Sequence, residues 1–581
     1  MNFKDLSLRL IDYDAEVTVF KAKKVITMNN KHPQAEAVAV QNGIIVGVGD
    51  FSNIIQLLYI NKIKVICNQQ FSEHIIYPGF SEHHMHPQIL GSYLKHSHYI
   101  GYLDRVDEKG NILPGIQSKG ALLARLQVLI RQDNERLEQG DAHWLNCWGL
   151  DPLLLGNVDL SCKILDKISD KYPICLAHAS GHVININSYA IDLCAYQVLA
   201  DDPNLERDIK GVVTGTIAEM PMIQHAILKG AMRMDYTIEG LVDASRIATK
   251  IARINGCTSI TDKGTNFPFI PKDNASQGWI EAKERGLLST RVNMEVWYST
   301  IEHWRYAGKT GWPAIHALKN KKDNFLSVGN LKFIMDGSIQ GFTANMLPDQ
   351  PYVTEHKKNG ILLMSCAQAI EQLKISETHG FSCSIHTNGN GAIETALLAI
   401  ENVRQASSNI GFRHSLEHCQ LATENQFYRM KKYDVTPNLF ANHIYFWGDV
   451  HVKYTVGEHI ARRMNACRSA TDHGLLHGLH SDDMVTEVAP LFSAWCAVNR
   501  RTLSGRVLGE DQCLSVAEAM RVITYNHAWL AHQDDVRGSI EIGKWADFTI
   551  LEEEATEDAA IYLKDIKIVA TVINGDDIFI N

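Results

Sequence analysis

No stretch of this chain offers the roughly 18 to 20 consecutive apolar residues that a bilayer-spanning helix requires, although 45% of its 581 residues are hydrophobic. Those residues are expected to fill a large core instead, and no membrane partner is expected. The first fourteen residues, Met1 to Asp14, alternate charge with apolar side chains and lack the apolar centre of a signal peptide, so a soluble, cytoplasmic protein is expected. Basic residues are scattered: 56 Lys and Arg face 66 Asp and Glu, for a net charge of -10. The electrostatic footprint that nucleic acid or an anionic membrane surface needs is therefore missing. The twelve cysteines are spread singly without a C-x-x-C pair, and several, such as Cys67, Cys175 and Cys383, sit in apolar stretches. They read as reduced core thiols, not as a disulfide framework. Internal repeats of fixed period and low-complexity segments are also absent.

What the chain does have is alternation. At its start, VTVFKAKKVITM and AEAVAVQNGIIVGVG read as short strands, with Asn42-Gly43 supplying a type I′ hairpin turn. Near its end, RGSIEIGKWADFTILEE and IVATVINGDDIFI repeat the strand-turn-strand pattern. Each half alone offers too few strands to bury a face, so residues 1–74 and 532–581 are expected to build one composite β-sandwich. Between them, residues 75–531 alternate short apolar strands with helix-like stretches. Eight strand candidates appear: 75–83, 257–262, 291–298, 331–336, 381–386, 412–418, 435–440 and 475–482. Eight such units close a (β/α)8 barrel of the TIM type, an α/β fold. The long gap at about 90–250, with the strand-like PICLAHAS (173–180), reads as an insertion after the first barrel strand, on the face where barrels carry their chemistry.

The sharpest local feature is PGFSEHHMH (78–86). Period-two geometry points His84 and His86 to one side of a strand end, where both can grip one ion, and turns His83 away. In a chain with 26 histidines, one H-x-H is weak evidence. His386, His418 and Asp482 add weight because they close three further predicted strands, and barrel sites draw single residues from many strand ends. Taken singly, a strand-end histidine is more often structural and an aspartate there is often a helix N-cap. Nitrogen and carboxylate ligands without thiolate favour zinc, with manganese, iron or cobalt as alternatives. Lys332 sits in the apolar strand LKFIMDG, where its stem could snorkel to the surface or its amine could pair with Asp336. Failing both, a buried ammonium needs a partner or a chemical change, such as carbamylation to a metal-bridging carboxylate.

The order of these motifs resembles the amidohydrolase superfamily, and most closely its YtcJ-like branch, which includes N-substituted formamide deformylases. The resemblance rests on PGFSEHHMH (78–86), GCTSITDKG (256–264), LKFIMDGSIQG (331–341), IHTNGNGAIETAL (385–397), RHSLEHCQ (413–420), NHIYFWGD (442–449), HSDD (480–483) and GSIEIGKWADFTIL (538–551), which together span nearly the whole chain. It implies that His84, His86 and Asp482 bind one divalent metal and that His386 and His418 bind a second, with carbamylated Lys332 between them. Some members use one metal, so one or two ions are expected. Two departures stand out: Glu82 replaces the usual aspartate two residues before the first ligand, and Asn390 replaces an aspartate in His-x-x-Gly-Asp. SGHVININSYA (180–190) and VVTGTIAEM (212–220) match further stretches of the branch, which places His182 and Glu219 toward the substrate. A packing histidine and a solvated glutamate are the competing reading. The aromatic run HIYFWGD (443–449) reads as a pocket wall with His443 and Trp447 near the substrate, or else as an ordinary loop cluster.

The expected chemistry is hydrolysis of a C–N, amide-type bond. A divalent ion lowers the pKa of water from 15.7 toward about 7, so that hydroxide is available to attack the carbonyl. His443 or a second ion would steady the oxyanion, and Asp482 would act as general acid-base. Apolar residues of the insertion and of 443–449, with no arginine clamp, point to an N-substituted amide or formamide with a hydrophobic substituent. A cyclic amidase or deaminase of the same superfamily is the alternative, and a non-catalytic scaffold of the same fold is the remaining reading. Chains of this size and fold often form symmetric homo-oligomers.

Overall fold

The computed structural model describes residues 6–581, apart from 138–143, 200, 201, 203, 268–273, 322, 355–358 and 407–410. The first five residues of the expected terminal segment, and parts of the expected insertion, therefore lie outside the described residues. Among the described residues, no helix is long and apolar enough to cross a membrane.

Eight parallel strands form the central sheet: β1 (Phe80–Met85), β2 (Cys257–Thr265), β3 (Arg291–Trp297), β4 (Leu326–Ile334), β5 (Cys383–Thr387), β6 (Ser415–His418), β7 (Thr436–Leu439) and β8 (Gly478–Leu479). They pair in sequence order, and a parallel bridge between Met85 and Asp483 brings the first strand back to the last. The Asp482 amide donates to the His84 carbonyl at 3.0 Å and the His86 amide to the Asp483 carbonyl at 2.6 Å. The seam of the barrel thus runs through the H-x-H segment itself. Alternation along the strands sends Leu331, Phe333, Cys383, Ile385 and Leu416 into the main apolar core, while their neighbours Lys332, Ser384 and Glu417 form a buried polar interior. Most barrels of this kind fill that space with branched aliphatic side chains.

The predicted first strand, 75–83, is two strands. Ile75–Pro78 joins the terminal sheet, and only Phe80–Met85 enters the barrel. The break falls at Gly79, where a Cβ would lie 2.1 Å from Thr258 Oγ1, so only glycine allows the chain to cross this closely to β2. Both chain ends do build one assembly. Its hydrogen-bonded ladder runs Asp577–Ile580, Ile568–Ile573, Phe548–Leu551, Ile75–Pro78, Val17–Ile26, Gln34–Gln41, Ile44–Gly49, with Val65–Asn68 also paired to Val17–Ile26. Phe20, Val38, Phe71, Phe548 and Val572, from early and late segments, share one apolar cluster. Asn42 and Gly43 both have positive φ, 52° and 78°, as a type I′ turn requires. Arg291 at the start of β3 grips Asp547 through two hydrogen bonds of 2.7 and 2.8 Å, tying the barrel to this sheet. Of the cysteines read as core thiols, Cys175 and Cys383 are buried, whereas Cys67 is exposed on its strand.

The insertion builds its own six-stranded sheet, in the order Leu205–Arg207, Val213–Ala218, Val183–Ile186, Ile174–His178, Leu145–Leu150, His98–Tyr99. The helix Ile238–Ile254, capped by the Thr237 hydroxyl at 3.1 Å from the Gly240 amide, packs between the barrel helices Pro87–His96 and Asn274–Glu284.

Candidate metal centre

The ends of β1, β4, β5, β6 and β8 converge on one pocket. Its lining includes His86, Lys332, His386, His418 and Asp482 on the barrel side and Ser180, Gly181 and His182 from the insertion. Asp482 is the hub. Its Oδ1 lies 3.4 Å from Nε2 of both His84 and His86, and its Oδ2 lies 3.7 Å from His418 Nδ1. His418 Nε2 meets His386 Nδ1 at 3.0 Å, which adds the β5 histidine to the chain of contacts. His83 points away as expected, to the Thr261 hydroxyl at 3.1 Å and the His527 ring.

Two of these residues reach the site only through unusual backbone. Glu417 and His418 are consecutive, so a regular strand would send them to opposite faces. His418 has φ +69° and Asp482 φ +52°, in the left-handed region that non-glycine residues seldom occupy. Such strain persists only where the surroundings enforce it, and it is concentrated at functional sites.

The polar atoms facing one another here are unsatisfied. His84 Nε2, His418 Nδ1, Asp482 Oδ1 and Lys332 Nζ are buried without a hydrogen-bond partner. One such atom costs about 1–3 kcal/mol, so four in one place call for a ligand that all can share. Among the described residues, two sets have ligand atoms close enough to hold an ion, His84–His86–Asp482 and His84–His418–His480. Burial holds the imidazoles of His84, His386 and His418 well below the usual histidine range, which leaves them neutral and free to donate a lone pair.

Lys332 neither snorkels nor pairs with Asp336. It is 1% exposed, and the Asp336 carboxylate is taken by the backbone amides of Asn388, Asn345 and Gly389 at 2.8–2.9 Å. Burial brings the Lys332 amine down to about 8. The substituted Glu82 spans the barrel seam: its Oε1 accepts from the His84 amide at 2.9 Å and its Oε2 from the Ser481 hydroxyl at 2.6 Å. Asn390, fully buried, accepts from the Leu347 amide and donates to the Gln350 side chain.

Of the residues expected to face substrate, His182 lines the pocket with its ring 5.0 Å from that of His386. Glu219 stands behind it, 1% exposed with φ +57°, and its Oε2 lies 2.9 Å from His182 Nδ1. His443 and Trp447 are not among the side chains lining the pocket. The expected loop is a helix, Asn442–Val450, and its four-residue period stacks His443 on Trp447 at 4.3 Å and sets it 5.6 Å from His451. The Trp447 indole donates to the Asp151 carboxylate. Both side chains are thereby committed to the core.

The sequence reading leaves out Glu417, Lys263 and His480. Glu417 Oε2 lies 2.7 Å from His84 Nδ1, and its Oε1 accepts from Lys263 at 3.1 Å and from the Ser415 hydroxyl at 2.6 Å. Lys263 also donates to Glu295 at 2.8 Å. Burial alone would raise the Glu417 carboxyl, but the Lys263 and Lys332 ammonium groups hold it well below the usual carboxylate range. The available signal was the charge itself, Glu295 and Glu417 inside predicted barrel strands and Lys263 directly after one.

The amidohydrolase family description matches residues 74–579. The chain belongs to the amidohydrolase family. This amidohydrolase is similar to the putative amidohydrolase YtcJ of Bacillus subtilis strain 168, at 24% identity over 96% of this chain and 98% of the relative. It is 24% identical to an N-substituted formamide deformylase of Arthrobacter pascens, over 71% of this chain and 74% of that one. Among solved structures, an uncharacterized metal-dependent hydrolase from Pyrococcus horikoshii OT3 shares the fold with a TM-score of 0.67, at 20% identity over 93% of this chain and 98% of that one.

Proposed function

We propose that this amidohydrolase uses a divalent metal, with zinc the first choice, to hydrolyse the C–N bond of an N-substituted amide or formamide. The observation that carries the reading is the group of unsatisfied buried ligand atoms, His84 Nε2, His418 Nδ1 and Asp482 Oδ1, beside a pocket that Ile89, Met220, Ile227, Met234 and Phe267 make largely apolar. Nitrogen and carboxylate donors without thiolate suit zinc, manganese, iron or cobalt.

A bound divalent ion would supply Lewis acidity and a water acidified toward neutral pH. His84, His86, His386, His418 and Asp482 would hold it. The Lys332 amine, unpaired and brought down to about 8 by burial, is suited to add to carbon dioxide with loss of a proton, giving a carbamate. Asp482 touches the ligand histidines and lines the pocket, so one of its carboxylate oxygens is placed to take the proton from the attacking water. It then passes that proton to the leaving amine nitrogen. His182, with Nδ1 held by Glu219, presents its other edge to the pocket and orients the carbonyl side of the substrate. Met220, Ile227, Met232, Met234, Phe267 and Trp297 enclose the hydrophobic N-substituent. The resemblance to a formamide deformylase supports this substrate class.

The test is metal content per chain on protein purified without added metal, alongside turnover of a panel of N-substituted formamides and amides. One or two ions per chain with amine release is the expected result. Protein that binds no zinc, manganese or cobalt and turns over none of the panel would return the chain to the scaffold reading.

A further inference from the structure

His480 follows the short strand β8, two residues before Asp482. Its ring is 0% exposed and lies 4.6 Å from that of His84, 5.0 Å from that of His418 and 4.5 Å from that of Phe440. Neither of its nitrogens has a hydrogen-bond partner. A neutral imidazole buried with both nitrogens unsatisfied is costly, because packing against aromatic rings returns neither the lost donor nor the lost acceptor bond to water. His527 and His414, also fully enclosed, show how structural histidines are settled here. His527 bonds the Ser81 carbonyl at 2.6 Å and the Leu479 amide at 3.1 Å, and His414 bonds the Cys383 amide and Glu377 at 3.0 Å each.

The unsatisfied atoms around His480 are complementary to its own. His84 is committed at Nδ1 to Glu417, so only Nε2 is available; His418 is committed at Nε2 to His386, so only Nδ1 is available. His84, His418 and His480 each offer one ring nitrogen within 4.8 Å of the others. Asp482 Oδ1 and Oδ2 border the same space at 3.4 and 3.7 Å from His84 Nε2 and His418 Nδ1.

We propose that His480 is a metal ligand, completing a nitrogen-rich site with His84 and His418 beneath the substrate pocket, with Asp482 closing it from above. The inference deepens the hydrolase reading and rests on it. Three imidazoles and one carboxylate favour zinc, cobalt or iron and disfavour magnesium and calcium, which take oxygen ligands. His480 is not among the side chains lining the pocket, so it adds to affinity and metal choice without touching the substrate.

The test compares cobalt(II) uptake, zinc affinity measured by competition with a chromogenic chelator, and the visible spectrum of the cobalt form in the unaltered protein and in His480→Asn. Zinc affinity at least about tenfold weaker and a changed cobalt spectrum in the variant support the assignment; a tenfold loss corresponds to about 1.4 kcal/mol. Equal affinity and an unchanged spectrum overturn it. Should the variant not fold, anomalous scattering at the zinc edge from crystals of the unaltered protein decides. An ion about 2.0–2.1 Å from a His480 nitrogen supports the proposal, and an ion bonded only to the other residues overturns it. Unaltered protein that takes up neither metal overturns the hydrolase reading along with this one, an outcome distinct from metal uptake that ignores His480.

Discussion

His84 Nδ1 and Glu417 Oε2 lie 2.7 Å apart across the barrel interior, one from β1 and the other from β6. A carboxylate on one ring nitrogen fixes the proton there and presents the other as a lone pair, the arrangement that orients metal-binding histidines. Glu417 is itself held by Lys263, Ser415 and the Asn438 amide group. Glu417→Gln keeps the shape but removes the charge that anchors both His84 and Lys263. The expected result is a 10- to 100-fold loss of metal affinity, as for other partners of ligand histidines, with a lowered Tm in the metal-free protein. Unchanged affinity in titrations of folded variant would leave Glu417 as a structural partner of Lys263 alone.

Asp482→Asn is expected to fold and to lose nearly all turnover. The amide keeps the volume and can still accept one hydrogen bond, but it cannot carry a proton between the attacking water and the leaving nitrogen. Circular dichroism checks the fold, and kcat on the best formamide of the panel checks the rate. Near-normal kcat would assign proton transfer to another group.

The barrel was legible because alternation of short apolar strands with helices is a whole-chain signal, and each of the eight candidates overlaps a barrel strand. The split at Gly79 was hidden, since IIYPGFSEH carries no turn signal beyond Pro78-Gly79 and only the close approach of Thr258 reveals the crossing. His84 and His86 stood out as an H-x-H pair just after a predicted strand, and His386, His418 and Asp482 because each closes one. His480 and Glu417 did not, each overshadowed by the adjacent motif residue. Strand alternation argues against Glu417 and His418 acting together until the positive φ of His418 is seen. His443 and Trp447 lie apart from the pocket lining for the converse reason. Their aromatic run suggests a wall, while their spacing of four places both on the buried face of a helix.

The Glu219→Gln variant tests whether the insertion serves the reaction. Gln can still accept from His182 through its amide oxygen, but the charge that orients the ring is lost. A fall in kcat/KM of about tenfold, roughly 1.4 kcal/mol of lost transition-state stabilisation, is expected with metal content unchanged. Unaltered kinetic parameters would remove His182 and Glu219 from the substrate site.

The insertion also clamps the loop that carries Asp482. Arg105 pairs with the Asp483 carboxylate, donates to the Met484 carbonyl at 3.1 Å, and stacks 4.9 Å from the Trp148 ring. Arg105→Ala leaves Asp483 buried and without its ion-pair partner, a change that typically costs about 3–5 kcal/mol. A clear drop in Tm is therefore expected, together with a lower kcat because Asp482 loses its fixed position. A variant with native Tm and native kcat would show that the clamp is dispensable.

Lys332→Ala separates a structural amine from one that has been converted to a metal ligand. The side chain is 1% exposed with no hydrogen-bond partner, so an unmodified ammonium there is a destabilising group. Removing it would raise stability while leaving metal binding intact. A carbamate would instead be an anionic ligand, and its loss is expected to lower both metal content and rate. Growth or reconstitution in ¹³C-bicarbonate would add a carbamate carbon signal to the NMR spectrum of the unaltered protein and not to that of the variant. Full metal content in Lys332→Ala, with no ¹³C signal in the parent, would place Lys332 outside the metal centre and make a single ion the simpler arrangement.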